Sequence, residues 1–232
     1  MNIWQQVIQG FSLIIYYIYL GTEWINIPNY GLAIIIFTIL VKLCLFPLTK
    51  MQMSSMSVMQ ELQPRIKEIQ DRYKDKPEKA QEKVMKLYND RKVNPMAGCL
   101  PLLIQMPIIF ALFSSLRVMF DPVNHPSFVD MTKANFLWID NLGMPDPIIL
   151  PILVAVATFG QQYMSSMATA GGKNDSTQKT MLYIMPLFVG WITRTLPAGL
   201  AIYWVMYSIV SAVEMIVIRR SLKAVKGAGS QA

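Results

Sequence analysis

Charge is scarce in this chain: Lys, Arg, Asp and Glu make up 15% of 232 residues, against about 25% in soluble domains. Too little charge is available to cover a water-facing surface, and the 53% of hydrophobic residues gather into long runs, which makes lipid the expected solvent. Cysteine and histidine are scarcer still. Cys44 and Cys99 lie in or beside apolar runs without a CxxC pair, and His125 is the single histidine, so a disulfide framework and a metal site are both excluded and small-residue packing accounts for the cysteines. No G-x-S-x-G, H-E-x-x-H or Walker pattern occurs and no acid pair lies inside an apolar run. These absences exclude the usual hydrolytic and nucleotide-driven enzymes, and neither cofactor nor catalytic residue is expected. A net charge of +7 raises nucleic acid as a partner, but the cations cluster in one stretch and in the tail, where membrane topology explains them, and no nucleic-acid module is evident. The N-terminus has no basic n-region, no A-x-A site and no cysteine to take a lipid, so Met1 onward reads as mature chain.

Helical periodicity fills the rest. Over residues 1–29, Trp4, Ile8, Phe11, Ile15 and Ile18 form one stripe, and Gln5, Gln9, Ser12, Tyr16 and Tyr19 form a second, one position later. Two stripes predict an amphipathic helix lying in the membrane interface, a full span being the alternative. The first span covers 30–48, holding Lys42 and ended by Pro47. Residues 49–95 carry eleven Lys or Arg and seven Asp or Glu up to Asn94. Met59, Leu62, Ile66, Ile69 and Tyr73, then a turn at Asp75-Lys76-Pro77, then Ala80, Val84, Leu87 and Arg91 predict an antiparallel helical hairpin whose seams cover each other without a partner.

Further spans are expected at 96–119, 148–165, 180–196 and 197–218, with connecting loops at 120–147 and 166–179 and a basic tail at 219–232. The loop 120–147 holds Asp121, Asp130, Asp140 and Asp146 against Lys133 alone. By the positive-inside rule the hairpin and tail are cytoplasmic and the acidic loop is outside. The strictly apolar part of the fourth span, Met181–Thr193, is thirteen residues, ~20 Å of helix against roughly 30 Å of hydrocarbon; flanking residues extend it or the bilayer thins there. The fold class is therefore all-α, with five transmembrane helices.

An ammonium within an apolar span costs roughly 2.5–3.5 kcal/mol even after relaxation, so Lys42 needs compensation. It either snorkels to the cytoplasmic end or faces a water-filled cavity, into which Thr38, one turn earlier on the same face, extends the polar stripe. Gln105, Gln161, Gln162, Ser208 and Ser211 add polar groups to the spans, each also explained as interhelical glue. Glu214 neutralises Lys42 or pairs near Arg219; the sequence does not choose. The seventeen methionines suit either a surface accepting varied apolar segments or plain lipid contact.

The run NPMAGCLPLLIQMPIIFAL at 94–112 resembles the signature of the YidC/Oxa/Alb family of membrane-protein insertases. The likeness extends to GLAIIIFTILVKLCLFPL at 31–48, MQELQPRIKEIQDRYKDKPEK at 59–79, ILPILVAVATFGQQYMS at 149–165 and MPLFVGWITRTLPAGLAIYW at 185–204. It implies five helices around a hydrophilic groove open to the cytoplasm and to lipid, closed toward the outside, through which hydrophobic segments of nascent proteins enter the bilayer of a bacterial inner membrane. The Sec translocon, the ribosome and the signal recognition particle pathway are implied partners. Where relatives carry a groove arginine this chain has Lys42, which keeps the charge but loses the planar five-donor fork. Gln105, Gln162 and Trp204 match groove-lining or groove-adjacent positions. A small-solute transporter or channel is the rival reading, although no paired repeat with interrupted helices is present and solute transport leaves the hairpin unexplained.

Overall fold

Asn29 begins the longest helix: its extended backbone and its side-chain oxygen, which accepts from the Leu32 N–H at 3.0 Å, satisfy one of the open donors of the first turn. In the computed structural model, which describes residues 2–91, 100–168 and 176–229, the chain is helical throughout: α1 (Ile3–Trp24), α2 (Tyr30–Arg72), α3 (Pro77–Asp90), α4 (Leu100–Met119), α5 (Ile149–Ala168), α6 (Ser176–Thr193) and α7 (Ala198–Gly229), with a short 3₁₀ turn at Met131–Lys133. The first part of the signature, 94–99 with Cys99, and the glycine-containing loop Gly171-Gly172-Lys173 lie outside the described residues. So do the side chains of the tail lysines Lys223 and Lys226.

Pro47 does not end α2. The helix runs 43 residues through both Pro47 and Pro64, so the break expected at the end of the first span is absent and the span passes straight into the basic stretch. A helical proline forfeits one backbone hydrogen bond, and next to Pro47 the Thr49 hydroxyl donates to the Leu45 carbonyl at 3.1 Å. After a turn closed by Lys76 N–H to the Tyr73 carbonyl at 2.9 Å, α3 begins with Pro77 in its first turn and packs against the end of α2. Leu62, Ile66 and Ala80 are buried there, in the seam the periodicity predicts.

Helix α1 packs on α2 and α4, α2 and α4 on α7, and α5 on both α6 and α7. The buried face of α1 is Ser12, Ile15, Tyr19 and Thr22, a row that mixes the two stripes read from the sequence. Ser12 belongs inside because its hydroxyl meets that of Ser115 on α4 at 2.8 Å. Two described stretches have the length and composition of a membrane span, Tyr30–Met59 and Ala198–Ser221; Leu103–Met119 and Thr180–Thr193 are apolar but shorter. Helix α6 starts at Ser176 and has 18 residues, ~27 Å of helix, longer than its strictly apolar part.

The acidic loop ties the helices together at one end. Ala198 and Gly199, at the start of α7, donate their N–H groups to the Met144 and Leu142 carbonyls at 2.9 Å each, and Leu142 donates to Ala134 at 2.9 Å. Asn29 reaches the Asn135 carbonyl at 3.0 Å, and Phe136 lies so tightly over Gly31 that a Cβ there has no room. Tyr30 stacks on Tyr19 with ring centroids 4.0 Å apart and meets Phe120 edge-on, closing that end with aromatic rings. Asp146 accepts from the Ile148 and Leu150 N–H groups ahead of and inside α5 and from the Trp138 indole at 2.8 Å. Partial burial works to raise its carboxyl pKa, and these hydrogen bonds outweigh it, holding the carboxyl below its ordinary range.

Two predictions follow from this packing. A Cβ on Gly190 would lie 2.8 Å from the Ala155 Cβ and from the Pro151 carbonyl oxygen, whereas one on Gly160 meets nothing within 4 Å. Gly190→Ala is expected to force α5 and α6 apart and cost about 1–3 kcal/mol, lowering the thermal midpoint in detergent, while Gly160→Ala leaves it unchanged or raises it. Because the Asp146 carboxyl is depressed in the folded chain, its contribution is complete above the ordinary carboxylate range and is lost as pH falls through its folded value. In a variant retaining Trp138 as its single tryptophan, indole fluorescence is expected to change in that acidic window, and Asp146→Asn removes the transition.

Candidate functional site

Lys42 and Glu214 meet between α2 and α7. The ammonium lies 2.5 Å from one carboxylate oxygen, and the two side chains are 5% and 8% exposed. Of the two partners the sequence left open for Glu214, the structure selects Lys42. The same ammonium stands 4.6 Å from the centre of the Tyr207 ring, so it is held by a carboxylate on one side and a π-face on another. Snorkelling alone does not describe this lysine: its charge is compensated where it lies, inside the packing.

The register that joins the pair comes from the helix starts. Both α2 and α7 are anchored at their N-terminal ends by the acidic loop and so run in the same direction from it. Lys42 stands twelve residues after Tyr30 and Glu214 sixteen after Ala198, ~18 and ~24 Å along the two helices. On α7, Tyr203, Tyr207, Ser211 and Glu214 recur at spacings of 4, 4 and 3 and share one face.

The remaining sequence candidates divide. Thr38 is fully buried, and its hydroxyl donates to the Ile34 carbonyl of its own helix at 2.7 Å. Gln105 on α4 is buried and donates its amide to the Tyr203 hydroxyl at 2.5 Å, which ties α4 to the polar face of α7. Trp204 is half-buried against the core, and Gln162 is half-buried on α5 and takes no part in these bonds. Ser208 is fully buried and its hydroxyl has no partner among the described residues, as is true of the Gln52 amide nitrogen on α2 and the Thr158 hydroxyl on α5.

Tyr203 and Tyr207 were not singled out from the sequence. Their signal was present in the 4, 4, 3 spacing that leads to Glu214, but a tyrosine in an apolar helix reads as core or as an interfacial ring unless its partner is known. Chemically the arrangement is a buried ion pair bounded by a tyrosine ring. No group of three or more His, Cys, Asp or Glu that would hold a metal occurs among the described residues.

The bond between Gln105 and Tyr203 gives a direct test of how tightly this polar face is built. Tyr203→Phe leaves a buried amide unpaired and is expected to cost about 1–3 kcal/mol of stability. Gln105→Leu in the same chain should recover part of that loss, a sign of coupling read from a double-mutant cycle of thermal midpoints.

Comparison with known proteins places this geometry. The family described as "60Kd inner membrane protein" matches residues 21–225. The "Membrane protein insertase YidC" of Caldanaerobacter subterraneus subsp. tengcongensis is 41% identical over 202 residues, which cover 87% of this chain and 90% of that one. The "Membrane protein insertase YidC 1" of Lactococcus lactis subsp. lactis is 40% identical over 88% of this chain and 71% of its own. A relative from Chlorobium luteolum is 36% identical over 87% of this chain, which spans only 35% of that longer protein. Among solved structures, "Active YidC insertase crystal structure with the first transmembrane domain resolved" superposes with a TM-score of 0.68 at 27% identity, covering 92% of this chain and 46% of the other. The matched region takes in α2 to α7 and with them both members of the ion pair, and the chain belongs to the 60Kd inner membrane protein family, that of the YidC membrane protein insertases.

Proposed function

We propose that this chain is a multi-pass membrane-protein insertase that receives hydrophobic segments of nascent proteins on the polar face shared by α2, α4 and α7 and releases them into lipid. The observation that carries the reading is the Lys42–Glu214 pair, a charge placed inside otherwise apolar helices. A polar flank that follows a hydrophobic segment must cross a layer where every unpaired polar group costs several kcal/mol. A fixed charge with polar neighbours lowers that cost for the moment of passage, and sliding of the segment into lipid supplies the driving force, ~25 cal/mol per Å² of apolar surface.

In this reading five spans cross the membrane, α1 lies along its interface, and the groove opens to the cytoplasm. The end of α2 with α3 is the cytoplasmic hairpin at the groove's mouth. The acidic loop lies outside and the basic end of α7 inside, as the distribution of Lys and Arg requires. Nascent membrane proteins are the substrates, and the ribosome, the Sec translocon and the signal recognition particle pathway are the partners that would deliver them. The named relatives are insertases, which leaves the solute-transporter alternative without support.

Insertion of a single-span substrate with an acidic translocated tail into proteoliposomes tests the reading. The natural chain is expected to insert it well above protein-free vesicles. Lys42→Ala is expected to lose about tenfold or more, the worth of one buried charge contact, and Lys42→Arg to retain most activity. Insertion by the alanine variant equal to that of the natural chain would remove the charge from the mechanism.

A further inference from the structure

We infer that α4 carries a binding site for an anionic phospholipid: the Arg117 guanidinium takes the lipid phosphate, and a stripe of exposed apolar side chains along the same helix takes an acyl chain. This inference goes beyond insertion and shares with that reading only the placement of α4 across the membrane.

Leu103, Met106, Phe110, Phe113 and Arg117 recur at spacings of 3, 4, 3 and 4 and share one face of α4. Leu103, Met106, Phe110 and Arg117 are exposed, whereas Gln105, Leu112, Ser115 and Met119 are buried, so the stripe is the side of α4 turned away from the other helices. Phe113 is half-buried against the core, which fixes its ring, and the Arg117 guanidinium stands over that ring, 5.2 Å from its centre. An arginine this close to the end of a span could extend outward to water. Side chains on a helix lean toward its N-terminus, and this one folds back instead, over a ring one turn earlier in the apolar stripe.

No carboxylate of the fold answers the charge. Among the described residues Arg117 has no ion pair, although the loop that follows holds four aspartates. Asp121, one turn on, accepts from the Val123 and Asn124 N–H groups, Asp130 accepts from Thr132, and Asp146 is taken by Trp138 and the start of α5. A bare cation on a lipid-facing stripe calls for an anion from the lipid itself. The planar fork of a guanidinium matches phosphate oxygens two at a time, and a fork already held over a ring gives up less freedom on binding.

The length of the stripe fits one lipid. Arg117 lies eleven residues beyond Met106, ~16 Å of helix, which is the depth of one leaflet in a hydrocarbon layer roughly 30 Å thick. A partner helix fits worse, because helices that pack in membranes favour small residues at the contact, and the apolar members of this stripe are Leu, Met and Phe. Phosphatidylglycerol is preferred over phosphatidylcholine, whose own ammonium would be brought toward the guanidinium.

The full chain in detergent micelles, titrated with phosphatidylglycerol and separately with phosphatidylcholine, tests this, with bound lipid counted by native mass spectrometry. The variants are Arg117→Gln, Arg117→Lys and Arg194→Gln, the last removing another exposed arginine that is not part of the stripe. Arg117→Gln is expected to weaken phosphatidylglycerol binding about tenfold, the worth of one charge-assisted contact. Arg117→Lys, with the charge but not the fork, is expected to weaken it less, and it decides the question by itself if the glutamine form does not fold. Arg194→Gln is expected to leave binding unchanged, and an excess of glycerol phosphate, which lacks the chain, is expected not to displace the lipid. Unchanged affinity in the Arg117 variants, an equal loss in Arg194→Gln, equal binding of the two lipids or displacement by glycerol phosphate would each overturn the proposal. No step of the measurement depends on insertion, so failure of the insertase reading shows in the proteoliposome assay and not in lipid binding.

Discussion

An ammonium inside an apolar helix has to be answered by something in the fold, and the answer here comes from another helix more than 170 residues away in the chain. Lys42 and Glu214 each carry a charge that is costly to bury alone, so neither helix is acceptable in a water-poor layer without the other. Removing one partner of such a pair costs about 3–5 kcal/mol because a bare charge remains. That asymmetry makes the contact between α2 and α7 specific in a way that leucine against leucine is not, since apolar surfaces slide over one another at little cost while a buried charge fixes the register.

The acidic loop performs the complementary task at the far end. It holds the first turn of α7 through two backbone hydrogen bonds and the start of α2 through Asn29 and Phe136. With both N-termini fixed, the distances along the helices to residues 42 and 214, ~18 and ~24 Å, are fixed as well, and the ion pair closes at that register. The aromatic rings of Tyr19, Tyr30 and Phe120 pack at that anchored end.

Much of this was legible in the residues. The all-helical character of the described residues was readable from periodicity, and Leu62, Ile66 and Ala80, picked out by spacing, are buried. What was not legible shares one cause: local signals whose meaning depends on a distant partner. Pro47 reads as a stop because a proline removes a donor and crowds the preceding turn, but α2 continues through it and packs against α1 and α7. Ser12 and Tyr19 read as a solvent stripe until Ser115 and Tyr30 are set against them. Glu214 was visible as a charge in an apolar run, and only the register of α2 against α7 shows which cation it meets.

The chemistry of the cation decides how the pair is held. A guanidinium would offer a planar fork that grips a carboxylate through two parallel bonds. Lys42 offers a compact charge with rotating donors, and it meets one Glu214 oxygen on one side and the Tyr207 ring on another. Its hold on α7 thus depends on Tyr207 and Glu214 together, about two turns apart on a single face of that helix. A slip of either helix by one turn would break both contacts at once, so the charge sets the register of α2 against α7 more sharply than a lone contact of the same strength.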